Sequence, residues 1–171
     1  MPRIRTFALA LALILAGALA PKAAEAQLAF GAHVAHATEF EDGVFGLGAK
    51  VGIDPPLLPL AFYAGVDYFF PDCEGLDGCG YQTFNLDANW TLLPMPVVDV
   101  YLSGGLTVRR VSVEGTVLGF AVDESTTATG FSAGAGVAFN FILGAFVEAR
   151  QEFFGDEDGG NQTVIRLGLL F

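Results

Sequence analysis

The chain has 171 residues with 8 Lys and Arg against 19 Asp and Glu, and its net charge of −11 excludes nucleic acid as a partner. Hydrophobic residues make up 53% of it and charged residues only 16%, far below the charged quarter of an ordinary soluble domain. Beyond the N-terminal twenty residues no run of about 18 apolar residues occurs, which excludes a transmembrane helix from the remainder.

The chain starts with a basic "MPRIR", followed by the apolar "TFALALALILAGALA" and then "PKAAEAQ". Ala24 and Ala26 supply small residues three and one before a cut, the pattern of a secretory signal peptide. This predicts a leader over 1–26 and one mature domain over 27–171. Loss of Arg3, Arg5, Lys22 and Glu25 with the leader leaves 5 basic and 18 acidic residues and takes the net charge to −13. An exported, apolar chain without helical periodicity has two homes: a soluble sandwich or lipocalin-like barrel, or a bacterial outer membrane.

Alternating runs bounded by turn residues predict eight strands, at 27–37, 44–54, 60–70, 81–92, 100–113, 130–141, 145–154 and 162–171. Each is long enough, when tilted, to cross a bilayer. Strands 2–3, 4–5 and 6–7 are joined by the short "PPLLP", "PMPVVD" and "ILG". Strands 1–2, 3–4, 5–6 and 7–8 are joined by "TEFEDG", "PDCEGLDGCG", "EGTVLGFAVDESTTAT" and "GDEDGGN", which hold twelve acidic residues and no Lys or Arg. In an up-and-down barrel alternate connections lie at one end, so one end is tight and the other is a ring of acidic loops.

The period-two pattern also sorts the faces. One face collects Lys50, Tyr63, Asp67, Asp87, Tyr101, Arg109, Glu148, Arg150, Glu152 and Arg166 among Gly, Ser, Thr and Asn, including Asn140. Such a face suits a narrow lumen, where small residues make room for long ones. Lys50, Arg109, Arg150 and Arg166 balance Asp67, Asp87, Glu148 and Glu152, which predicts an interior ion-pair network centred on the last two strands. The other face carries Phe45, Leu47, Phe62, Phe84, Leu86, Trp90, Leu102, Leu106, Phe131 and Phe153, and is expected to point outward. In the last run, "QTVIRLGLLF", Thr163, Ile165, Leu167, Leu169 and Phe171 share that outward face.

With its leader, eight strands, loop asymmetry and "TVIRLGLLF" ending on Phe171, the chain resembles the small eight-stranded outer-membrane barrels, the OmpA-like transmembrane-domain and OmpX-like group. The resemblance implies an all-β, eight-stranded antiparallel up-and-down transmembrane barrel in the Gram-negative outer membrane, with both termini in the periplasm. It further implies that Ile165, Leu167, Leu169 and Phe171 serve as the signal read by the barrel-assembly machinery. Outer-membrane lipid and lipopolysaccharide are the other expected partners.

Catalytic chemistry is thinly represented. The histidines are His33 and His36, both in the first strand, with His33 on the lumen face. Lipid A deacylases of similar size pair a His with a Ser two residues on, whereas Ala35 and Thr38 stand there. A pair would have to form across strands, for instance His33 with Ser132 or Ser103. No enzyme activity, cofactor or metal is expected. Cys73 and Cys79, in "DCEGLDGC", are expected to form a disulfide in an exported protein. The acidic loops are read as solvated surface, or as groups that share divalent cations with anionic lipopolysaccharide. Two functions stay open: a structural, surface-exposed barrel acting in adhesion, protection or envelope integrity, and a transport barrel for a small solute or apolar ligand.

Overall fold

The computed structural model describes residues 27–38, 43–55, 58–71, 78–117, 120–140, 144–155 and 160–171. The expected leader, Cys73 and all acidic residues of the loops "TEFEDG", "PDCEGLDGCG" and "GDEDGGN" lie outside the described residues. Eight strands close into a barrel in sequence order: β1 (Gln27–Ala37), β2 (Val44–Asp54), β3 (Leu60–Phe69), β4 (Gly78–Pro94), β5 (Val98–Val117), β6 (Phe120–Phe139), β7 (Gly144–Phe154) and β8 (Gln162–Leu170). Every neighbouring pair is antiparallel. Closure leaves no sheet edge along the barrel wall, which is how a β structure satisfies its backbone in an apolar setting.

The seam is made by β1 and β8, in register from Gly31 opposite Leu170 to Ala37 opposite Val164. Phe171 adds one more rung: its N–H donates to the Phe30 carbonyl at 2.7 Å, and its carbonyl accepts from the Phe30 N–H at 3.1 Å. At the tight end, Leu58 N–H bonds the Pro55 carbonyl at 3.1 Å and Met95 N–H the Val98 carbonyl at 3.2 Å. A register shift between Thr91 and Leu93 absorbs one residue of β4 close to that turn. At the opposite end Gly43 adopts φ +67°, a left-handed conformation that favours glycine, just before β2.

The central hairpin corrects the expected boundaries. The sequence "EGTVLGFAVDESTTAT" reads as an acidic loop, yet the β5–β6 ladder runs through it, from Arg109 opposite Ala128 to Val117 opposite Phe120. Its Val and Thr residues favour extended backbone and outweigh the turn-forming character of its Gly, Asp and Ser. Continuing a ladder already set in the wall also adds no new loop to close. β7 pairs with β6 only as far as Gly130, so β6 and its partner rise past β7 at the loop-rich end. β4 begins three residues earlier than expected, at Gly78, and pairs with β5 up to Glu114. In this extension Cys79 Sγ lies 3.5 Å from the Pro71 carbonyl oxygen. β6 ends at Phe139; Asn140, expected in the lumen, is exposed beyond it and donates from Nδ2 to Asp99 Oδ2 at 2.6 Å.

Exposure is inverted relative to a water-soluble domain. Phe45 is 66% and Leu167 61% exposed, while Arg150 is 2% exposed and Glu152 fully buried. An apolar exterior of this extent around a polar interior is the arrangement of a barrel solvated by lipid. Rings cluster near the loop-rich rim: His36 packs on Phe45 at 4.7 Å, Tyr68 on Phe70 at 5.2 Å and Phe131 on Phe153 at 4.9 Å. Trp90 and Phe62 stand outward toward the tight-turn end, on adjacent β4 and β3.

Candidate functional site: the filled lumen

Apart from the β4 irregularity between Thr91 and Leu93, inward and outward residues alternate through the barrel wall, so side chains from all eight strands meet in a bore only wide enough to be filled by them. Three layers result. Beneath the loop-rich end, Ala35, Ala37, Val44, Phe69, Tyr81 and Val164 form an apolar plug, joined by Val111. The Phe69 and Tyr81 rings lie 4.9 Å apart within it. Toward the tight end, Lys50 sits with its Nζ 3.5 Å from the Phe146 ring centroid and 4.9 Å from that of Tyr63.

Between these lies a layer of charge. Arg150 of β7 crosses the bore to Asp87 of β4 with two parallel hydrogen bonds, Nη1 to Oδ2 at 2.8 Å and Nη2 to Oδ1 at 2.6 Å. The same Nη2 donates to Ser132 Oγ, and Ser132 in turn donates to Asp87 Oδ1 at 3.4 Å. Arg166 of β8 crosses to Asp67 of β3 at 2.5 Å and also bonds Glu148 Oε1 at 3.2 Å. Asp67 further accepts from His33 Nε2 at 2.5 Å, Thr83 Oγ1 at 3.1 Å and Asn85 Nδ2 at 3.0 Å. Glu148 accepts from the Tyr101 hydroxyl at 3.1 Å and stands 3.7 Å from Arg150. Glu152 accepts from Gln162 Nε2 at 2.7 Å, and Gln162 Oε1 accepts from the Tyr81 hydroxyl at 2.5 Å. Arg150 Nε and Arg166 Nη2 approach Glu152 at 3.5 and 4.0 Å. Each of these two guanidiniums therefore faces three carboxylates, so neither charge is buried without counter-charge.

The structure brings together Asp67, Asp87, Glu148, Arg150, Glu152 and Arg166. It departs from the expected pairing in two ways. The reach is across the bore to β3 and β4 as well as between adjacent β7 and β8. Lys50, which has no carboxylate within 4 Å among the described residues, is held by aromatic faces, an electrostatic substitute for an ion pair. Arg109 lies 4.2 Å from the Phe154 ring centroid. The sequence pattern alone does not pair His33 with Asp67, nor does it mark Phe69, Tyr81, Phe146 and Phe154 as inward rings by their hydrophobicity. For the β7 pair the signal was present: Phe146 and Phe154 share the parity of Glu148, Arg150 and Glu152. Neither Ser132 nor Ser103 is hydrogen-bonded to His33, whose Nε2 is taken by Asp67.

Glycine makes the crossing possible at two places. A Cβ on Gly48 would collide with His33 Nε2 and Asp67 Oδ1, and one on Gly136 would enter the Tyr101 ring. Gly48→Val is therefore expected to push His33 off Asp67 and destabilise the barrel by about 1–3 kcal/mol, the usual cost of overpacking. Urea unfolding in detergent micelles reads this directly, and an unchanged midpoint would show that the Gly48 space is not needed.

No family model matches the chain, and no curated protein is detectably similar to it. Solved structures do match. Neisserial surface protein A is 17% identical with a TM-score of 0.64, over 84% of this chain and 94% of that one. A major outer membrane protein from Thermus thermophilus is 17% identical with a TM-score of 0.62, over 85% and 99%. Ail, the attachment invasion locus protein of Yersinia pestis, is 16% identical with a TM-score of 0.57, over 86% and 99%. The chain thus has the fold of the small eight-stranded outer-membrane barrels.

Proposed function

We propose that this chain is a bacterial outer-membrane protein that acts through its surface, in adhesion, protection or envelope integrity, and that its lumen conducts nothing. The observation that carries the reading is the pair of cross-bore contacts, Arg150 to Asp87 and Arg166 to Asp67, roofed by the apolar plug. A solute would have to break buried charge-assisted bonds to pass. The apolar wall and the rings near the loop-rich rim support a site in lipid. The loop-rich end faces outward and the tight turns face the periplasm, as in barrels of this architecture. Two of the matched structures are of proteins described as a surface protein and an attachment protein, which supports the surface role. The leader over 1–26 would deliver the chain to the envelope, and the β8 signal ending at Phe171 would hand it to the assembly machinery.

Single-channel recording of the refolded protein in planar bilayers tests the reading. At most rare, small openings are expected, with no steady current. A steady ohmic conductance would replace the surface reading with the transport one.

Cys73 and Cys79 are proposed to close a disulfide that braces the 3–4 loop without being required for the barrel. A loop this short removes little unfolded-state entropy, about 2–3 kcal/mol at most. Intact-mass measurement of protein taken from envelopes, with and without reductant, should show a gain of two hydrogens on reduction. Two thiols free to alkylation before reduction would refute the bond, and a barrel that fails to form in Cys73→Ser, Cys79→Ser protein would refute its dispensability.

A further inference from the structure

We propose that the outward wall of β3–β6 at the loop-rich rim binds the phosphorylated sugar head group of an outer-leaflet glycolipid, with Arg110 as its anchor. This site rests on the outer-membrane orientation proposed above. Of the five Lys and Arg residues in 27–171, Lys50, Arg109, Arg150 and Arg166 point into the barrel. Arg110 is the remaining one, and it is exposed on the outer wall. Along β5 it is the first outward residue past the apolar Leu102, Leu106 and Val108, at the level where hydrocarbon gives way to head groups.

Its neighbours are donors too. Tyr68 of β3 stands opposite Gln82 of β4, Gln82 opposite Arg110, and Arg110 opposite Thr127 of β6. Phenol, amide, guanidinium and hydroxyl therefore form one straight row across four strands, about 14 Å wide at the usual strand spacing. Just above, the absence of a side chain at Gly80 lets Ser112 close in: a Cβ there would lie 2.7 Å from Ser112 Oγ and 4.0 Å from the Tyr68 hydroxyl. Among the described residues, Arg110 and the polar atoms of Tyr68, Gln82, Ser112 and Thr127 have no hydrogen-bond or ion-pair partner. A lone exposed guanidinium in a row of neutral donors is complementary to a phosphate flanked by sugar hydroxyls. An outer-leaflet lipopolysaccharide presents that chemistry at this depth.

The test titrates the refolded full barrel in detergent micelles with three probes: lipopolysaccharide, the same material after enzymatic removal of its lipid A phosphates, and inorganic phosphate. Lipopolysaccharide should bind best. Arg110→Glu should weaken it by about tenfold or more, Arg110→Lys should restore part of the loss, and Gln82→Ala should cost severalfold. Dephosphorylated material should bind weakly and equally to wild type and Arg110→Glu. Binding of lipopolysaccharide by Arg110→Glu at wild-type strength, or equal binding of the phosphate-free material to wild type, would overturn the site, as would inorganic phosphate binding as tightly as the lipid. Retained heat-modifiable migration shows that each variant is folded. An epitope placed at 156–159 and probed with antibody on intact cells separates the two readings. A reachable epitope with unaltered binding by Arg110→Glu sinks the site alone, and an unreachable one sinks the orientation and the site together.

Discussion

Replacing Arg150 by alanine is expected to lower barrel stability by about 3–5 kcal/mol, the cost of stranding a buried counter-charge. Asp87 would lose both of its guanidinium bonds and keep only the longer one from Ser132. Glu148 and Glu152 would retain Arg166 as their shared cation. The charge layer would change from two guanidiniums among four carboxylates to one among four. Water or ions must enter to restore balance, so the variant should conduct where wild type does not. The double replacement Arg150→Met, Asp87→Leu removes the crossing pair together and should cost much less than Arg150→Ala, since no group is orphaned. Urea midpoints in micelles and conductance in planar bilayers check the two effects separately. Equal stability of wild type and Arg150→Ala would mean that the crossing pair does not hold the lumen. A double variant as unstable as the single one would mean that packing rather than charge is lost.

The strands and their facing were legible because one rule governs them. In a wall with lipid on one side and a packed bore on the other, every second residue is constrained, and runs such as "VFGLGAKVGID" and "QTVIRLGLL" display it. What was less legible follows from what that rule leaves out. Alternation says that Arg150 and Arg166 point inward, but it does not say how far. Their meeting with Asp87 and Asp67 depends on bore diameter and on the stagger of strands distant in sequence. His33 joins Asp67 for the same reason, across β2 and over Gly48. The inward aromatic rings are harder to read because hydrophobicity argues for lipid while parity argues for the bore: Phe146 is greasy but in phase with Glu148. The 114–129 segment failed oppositely. There, acidic and glycine residues suggested a loop, while pairing with a strand already fixed in the wall decided the outcome.

Loss of Phe171 is expected to prevent most of the protein from reaching the outer membrane, leaving it to periplasmic proteases and lowering barrel abundance severalfold or more. In the finished barrel the residue supplies two backbone hydrogen bonds to Phe30, worth about 1 kcal/mol each in net terms. That is too little to unfold a closed eight-strand ladder, so a large defect in cells would have to arise before closure. The seam is the place for it. β1 and β8 are the most distant pairing in the chain, and they meet only after every other strand is present. A machine that holds β8 by its outward side chains until β1 arrives would read Ile165, Leu167, Leu169 and the Phe171 ring, all on the lipid side of the wall. Phe171→Ala separates the two contributions, because it keeps the backbone rung and removes the ring. Both the deletion and Phe171→Ala should refold in detergent micelles nearly as well as wild type, and both should fail in cells, as read by heat-modifiable migration of envelope protein. Normal assembly of both variants in cells would remove the signal from this strand. A matching loss in micelles would move the role of Phe171 from recognition to closure of the seam.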